Sequence, residues 1–179
     1  SNIVDQRDFN SRARDAAFIG TLQAGYTDFH YLRNVWKVTT EEDALIGVGM
    51  TGIASKAIDE LYEEEAAMVV NATNLLVSAQ IGINKAARTT TVKPSGTSSL
   101  VVGSSSGIHA WHDEYYIRRM RFGKDEAIYQ YLAATCPDLC EDEYFRPDEQ
   151  GVVSIPQRAP LGSTTRAESA LELLSRVRR

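Results

Sequence analysis

The sequence predicts an α/β domain with mostly parallel strands, and three observations carry that expectation. Ala44–Met50 is a short apolar run fit for a buried strand, Thr89–Lys93 is β-branched, and Val152–Ile155 is a third strand ended by Pro156. Segments with helical character lie around and between them, and alternation of strands with helices is the pattern of α/β architecture. The 179 residues suffice for one ordinary domain with a core. Three parallel strands alone would leave their edges unpaired, so the expected sheet needs partner strands from elsewhere.

Taken in order, residues 5–27 read as a helix. Asp5 can cap its first turn, and Phe9, Ala13, Ala16, Ala17 and Gly20 mark one face. Residues 28–40 read as a connection containing Tyr31 and Trp36. After the Ala44–Met50 strand and a glycine turn, a long helical stretch is expected from about Ile53 to Ala87, with Asn71 and Gly82 as points where it could divide. Its acidic run Glu60–Glu65 reads as a solvated face. The Thr89–Lys93 strand runs into Pro94-Ser95-Gly96-Thr97-Ser98-Ser99, followed by a brief helix at Leu100–Val102 and a small, flexible Ser/Gly link at Gly103–Gly107. Residues 124–135 read as helix, 141–151 as an acidic loop, and 165–177 as a final helix with capping-box spacing from Thr165 to Glu168. No internal repeat is evident.

Composition narrows the function classes. With 43% apolar and 24% charged residues the chain resembles a soluble globular protein, no apolar run approaches the ~20 residues that cross a bilayer, and no secretory leader is visible. A cytoplasmic location with no membrane partner is the expectation. The formal charge of −5 argues against DNA or RNA as partner, while leaving room for one loop to bind a small anionic ligand. Cys136 and Cys140 are too few for a disulfide scaffold or a closed zinc site; they read as ordinary thiols or, less readily, as a redox pair. Both ends read as cut: Ser1-Asn2-Ile3 carries no initiator Met, and Arg179 falls where a helix pattern stops.

Three segments carry candidate chemistry. Gly47-x-Gly49-x-x-Gly52 follows an apolar strand and precedes a helical stretch, as a dinucleotide fingerprint requires, but no acidic residue ends a strand about 20 positions on; the matching place falls near Asn71. Tight strand-to-helix packing explains the same glycines. Pro94–Ser99 offers a proline turn, a glycine at the tightest point, and Thr97, Ser98 and Ser99 opening a helix. Unpaired amides and hydroxyls there suit a phosphate, and suit a plain helix N-cap equally well. His109-Ala110-Trp111-His112 could place two histidines on one helix face, but no third metal ligand follows in order, so no metal site is expected. Arg118 and Arg119 read as solvated surface, with an acidic ligand as the other option.

Beyond local chemistry, Thr90-Thr91-Val92-Lys93-Pro94-Ser95-Gly96-Thr97-Ser98-Ser99 resembles the substrate-phosphate loop of ribonucleotide reductases. The onward runs Gly103-x-x-x-Gly107-Ile108-His109 and Tyr115-Tyr116-Ile117-Arg118-Arg119 resemble the adenosylcobalamin-dependent (class II) branch of that family. Ile46-Gly47-Val48-Gly49-Met50-Thr51-Gly52 is similar to the family's Ile-Gly-Val-Gly-x-x-Gly strand and turn, which accounts for the dinucleotide-like signal. Val152–Pro160 and Thr164-Thr165-Arg166 follow as in the same branch, so the resemblance runs from about Ile3 to Leu174.

The resemblance implies that residues 1–179 form a single partial domain, an internal or C-terminal piece of a ten-stranded α/β barrel lacking upstream and downstream strands. It places Ser95, Gly96, Thr97 and Ser98 where the family grips the substrate's phosphates through backbone N–H groups and hydroxyls. It implies adenosylcobalamin as cofactor, a ribonucleotide as substrate, deoxyribonucleotide synthesis for DNA replication as the role, and a thioredoxin-type reductant. The family's radical cysteine, its neighbouring glutamate and the barrel's redox cysteine fall upstream of Ser1, and Cys136 and Cys140 match none of them. No catalytic residue is therefore expected in this chain, which alone should be inactive and should depend on an upstream reductase segment or chain bearing those cysteines. A nicotinamide-binding enzyme built on Gly47–Gly52 and a non-catalytic interaction module are the alternatives.

Overall fold

The structure is a computed structural model that describes residues 3–56, 59–96 and 98–178. Helix α1 (Gln6–Ala24) starts as expected: extended Asp5 accepts a hydrogen bond from the Asp8 amide at 2.8 Å. Its buried stripe, Phe9, Ala13 and Ala17, lies against Ala66 and Val70 of α3 (Glu63–Ile81), with Val48, Met50 and Leu61 at the margin. Burial of the larger of these side chains stabilises the pair by about 1.5–3 kcal/mol each. The acidic run has a role besides solvation. Glu63, Glu64 and Glu65 occupy the first turn of α3, where the helix dipole favours negative charge, and Glu65 accepts from Asn10 Nδ2 at 2.7 Å.

The expected long helix from Ile53 to Ala87 resolves into a three-residue 3₁₀ turn at Ile53–Ser55, then α3, which stops at left-handed Gly82 (φ +75°). Asn71 lies inside α3 and does not divide it. Residues 28–40, expected as a connection, contain most of helix α2 (Asn34–Asp43). That helix buries none of its residues, so it has no apolar face to betray it, and its valines and threonines are weak helix formers.

Residues 46–48 and 88–91 run side by side in extended form. Val48 pairs with Thr90 in a parallel bridge, and Val48 donates to Thr89 O at 2.9 Å while Thr91 donates back to Val48 O at 3.0 Å. Beyond this and one further parallel bridge, Trp111 with Thr165, the ladders among the described residues are antiparallel. Strand β1 (Tyr115–Gly123) pairs along its length with β3 (Gln150–Arg158), and β2 (Cys140–Asp142) pairs with the other side of β3, giving the order β1-β3-β2. The mixed α/β class stands, whereas the mostly parallel pairing is corrected. The run Tyr115–Arg119, in which Arg118 and Arg119 read as surface, is the start of β1, and the acidic loop at 141–151 begins inside β2.

Strand β3 does not end at Pro156. It continues to Arg158, with Pro156 opposite Ile117. Ala159 N donates to Glu114 O at 2.9 Å, and the alternation of an antiparallel ladder then turns the nitrogen of Pro156 away from β1, where its missing N–H costs no ladder bond.

Between β1 and β2 lie the short helix α5 (Ala127–Thr135) and a 3₁₀ turn at Pro137–Leu139. The ring of buried Tyr129 sits on the backbone of Gly151, in space any side chain there would need. The last helix, here α6 (Ala170–Arg178), starts five residues later than expected. Its capping box is Ser169 with Glu172: the Ser169 amide and hydroxyl donate to Glu172 Oε2 at 2.6 and 2.8 Å, and the Glu172 amide donates to Ser169 Oγ at 3.3 Å. Thr165 is otherwise engaged in the Trp111 bridge, and the Glu168 carboxylate holds Arg176 at 2.7 Å. No helix among the described residues is long and apolar enough to cross a membrane.

Candidate anion-binding site

The extended segment 88–93 delivers the chain to Pro94, and the loop turns at Gly96, whose φ of +60° is readily open only to glycine. A four-residue helix, α4 (Ser98–Val101), follows. Gly96 and Ser98 are exposed and Ser95 is half-buried, so the loop presents one face outward. Thr97 lies outside the described residues.

The Gly96 amide and the hydroxyls of Ser95, Ser98 and Ser99 have internal partners. The Gly96 amide donates to Ser106 Oγ at 2.8 Å, the Ser95 hydroxyl donates to Thr51 Oγ1 at 3.1 Å, and the Ser98 and Ser99 hydroxyls donate back to Ser95 O and Gly96 O at 2.5 and 2.7 Å. For one of these groups to meet an anion it would have to exchange partners, leaving its internal acceptor for the ligand oxygen. Rotation about one bond suffices for Ser98.

The supporting layer beneath the loop differs from the expectation of a flexible link. Ser104 and Ser105 are 0% and 4% exposed, and Gly107 and Ile108 are buried with them. The Gly52 amide donates to Ser105 O at 2.9 Å and the Ile53 amide to Gly107 O at 3.1 Å, which ties this run to the glycine turn. Ser55 Oγ accepts from Trp111 Nε1 at 2.9 Å and from the Ser105 amide at 3.3 Å. Thr51, Ser104, Ser105 and Ser106 were not singled out in the sequence. Their signal was the serine run itself, because small hydroxyl residues can be buried in pairs where charged ones cannot.

The Gly47-x-Gly49-x-x-Gly52 segment is packing rather than a cofactor cradle. A Cβ on Gly47 would lie 3.0 Å from Thr91 Cγ2, and one on Gly49 would lie 3.0 Å from Thr91 O. The glycines thus admit the neighbouring extended segment, not a helix as the sequence suggested, and only a 3₁₀ turn follows them. Asn71, at the place of the missing ribose carboxylate, accepts a hydrogen bond from Thr89 Oγ1 at 2.9 Å.

The remaining candidates do not converge on the loop. His109 and His112 are exposed and off any helix; the His112 ring lies 5.4 Å from that of Tyr116, with Nδ1 3.5 Å from Arg166. Arg119 is paired with Glu141. Cys136 and Cys140 are both free thiols, the first exposed and the second half-buried in β2. Among the described residues no three His, Cys, Asp or Glu side chains are grouped to hold a metal.

No family model matches the chain. Individual proteins do. Over 133 residues, 69% of this chain and 18% of the relative, it is 30% identical to the adenosylcobalamin-dependent ribonucleoside-triphosphate reductase of Euglena gracilis. It is 34% identical over 122 residues to a probable adenosylcobalamin-dependent ribonucleoside-triphosphate reductase of Dictyostelium discoideum, covering 62% of this chain and 15% of that one. A Lactobacillus leichmannii reductase of the same name is 37% identical over 81 residues, 45% of this chain and 10% of its own. In fold, the chain matches a crystal structure of a B-12-dependent (class II) ribonucleotide reductase with a TM-score of 0.65 at 20% identity, over 83% of this chain and 25% of that one. The chain spans less than a fifth of the length of the curated relatives it matches.

Proposed function

We propose that this chain, a relative of the adenosylcobalamin-dependent ribonucleotide reductases, is a segment of such an enzyme and holds the phosphate tail of the ribonucleotide to be reduced. In this reading Ser95, Gly96, Thr97 and Ser98 are the phosphate-binding residues. The observation that carries it is the outward-facing turn at Gly96, which pairs an exposed amide and the exposed Ser98 hydroxyl on a braced support. Small donors at such a turn fit an oxyanion, and no atom crowds the open side of Gly96.

The work of these residues is binding and placement. Fixing the phosphates sets where the ribose lies, which lets groups from elsewhere act on it without a search over orientations. The remaining strands of a ten-stranded barrel, and the cysteines that carry radical chemistry and electrons, come in this proposal from reductase segments outside the 179 residues, with a thioredoxin-type protein as reductant. The product is a deoxyribonucleotide, the precursor for DNA replication, and the compartment is the cytoplasm.

Adenosylcobalamin, in the names of the relatives, would supply the radical that starts reduction. Among the described residues the candidate histidines are exposed, and the His112 ring lies beside Arg166, so neither offers that group a buried seat.

The test is reconstitution. The chain combined with a reductase segment bearing the upstream cysteines, adenosylcobalamin and a dithiol reductant should reduce ribonucleotides, and Ser98→Ala should raise KM more than it lowers kcat. A stable complex without reduction would favour an interaction module, and unchanged nucleotide affinity in Ser98→Ala would discredit the loop.

A further inference from the structure

We propose that Thr51 is the positioning residue of the Pro94–Ser99 loop, its one hydroxyl fixing the loop to both strips of backbone that support it. The inference rests on the phosphate-loop reading above and deepens it. A threonine hydroxyl has one proton to donate and two lone pairs to accept with. Thr51 Oγ1 donates to Ser105 O at 2.8 Å, which commits the proton. It accepts from Ser95 Oγ at 3.1 Å, and the Ser104 hydroxyl, 2.9 Å away, is then the donor of that pair, in preference to its longer 3.4 Å approach to Ser99 O.

All three capacities are thus used on two other segments, one the loop and the other the buried run beneath it. Thr51 is itself held in place because the next residue, left-handed Gly52 (φ +81°), donates its amide to the same Ser105 carbonyl at 2.9 Å. The glycine turn, which binds no cofactor in this reading, has the task of presenting that hydroxyl. Valine has the same shape but would remove all three of these hydrogen bonds, whereas serine keeps the hydroxyl and loses only a methyl.

The experiment compares the 179-residue chain with its Thr51→Val and Thr51→Ser variants by amide hydrogen exchange and by titration with inorganic tripolyphosphate. In Thr51→Val, exchange at residues 94–99 should quicken about tenfold while the α1 and α3 amides keep their wild-type protection, and tripolyphosphate should bind about tenfold more weakly. Thr51→Ser should restore both. Loop exchange unchanged in Thr51→Val, or a serine variant as impaired as the valine one, overturns the inference while leaving the phosphate reading intact. Faster loop exchange in Thr51→Val, reversed by serine, in a chain whose wild type binds no tripolyphosphate supports Thr51 as the anchor and removes the phosphate reading instead. Should Thr51→Val unfold, Ser95→Ala deletes one of the same bonds from the loop's side; quickened exchange at 94–99 supports the anchor and unaltered exchange overturns it.

Discussion

Gly107 meets Lys93 so closely that a Cβ on the glycine would stand 2.5 Å from the lysine carbonyl oxygen and 3.3 Å from Pro94 Cα. The buried strip and the entrance to the loop touch backbone to backbone, and the φ of +58° at Gly107 independently disfavours any side chain. Gly107→Ala is expected to destabilise the chain by about 2–4 kcal/mol and to displace the loop. Urea unfolding measures this, and a loss below about 0.5 kcal/mol would mean that the two segments are not in contact.

Asn74 is a buried bridge. Its Nδ2 donates to Thr21 Oγ1 at 3.0 Å and its Oδ1 accepts from the Ala86 amide at 3.0 Å, fixing α1 and the 83–91 segment to α3. Asn74→Leu leaves the Ala86 amide without its acceptor, for an expected cost of about 1–3 kcal/mol. A thermal melt that matches wild type would contradict the bridge.

Acid should weaken the β2–β3 corner through Glu143. Burial alone would push the Glu143 carboxyl up, but the amides of Phe145 and Arg146 at 2.7 and 2.9 Å, together with Arg121, outweigh it and hold the group below its ordinary 4.5. A depressed carboxyl contributes stability that is complete above its unfolded value and vanishes as pH falls through the folded one. The Glu143 contribution should therefore be present above about pH 4.5 and decline below it. Glu143→Gln should flatten the acid limb of a stability–pH curve below about pH 4.5, and identical limbs in the two proteins would refute the assignment.

Gly49→Val tests the glycine turn directly. The added side chain would enter the space of Thr91 O, so stability should fall by about 1–3 kcal/mol. NADH fluorescence should show no saturable binding in either protein. Saturable binding that the substitution abolishes would revive a nicotinamide enzyme.

The parts of the fold legible in the sequence are those where one residue type has one physical use. Asp5 capped α1, Phe9, Ala13 and Ala17 formed its buried face, and Pro94–Ser99 turned as its proline and glycine required. Helix α2 escaped notice because it buries nothing, and β1 because its half-buried alternation is filled with arginines and tyrosines instead of a clean apolar face. Strand direction was misjudged since a nine-residue antiparallel ladder and a parallel one draw on the same β-branched residues. At the site, the loop was visible and its foundation was not. Thr51, Ser104 and Ser105 look like linker residues, and only hydrogen bonds across more than fifty residues of sequence tie Thr51 to the two buried serines.

Pro156 has a bearing on how this sheet can meet other chains. Past Val153, where the partnership with β2 ends, the outward side of β3 has no amide to offer at residue 156. A foreign strand sliding along that flank would find its ladder interrupted, while the outer margin of β1 carries no proline anywhere from Tyr115 to Gly123. The flank of β3 past Val153 is thus a poorer template for an added strand than the outer margin of β1.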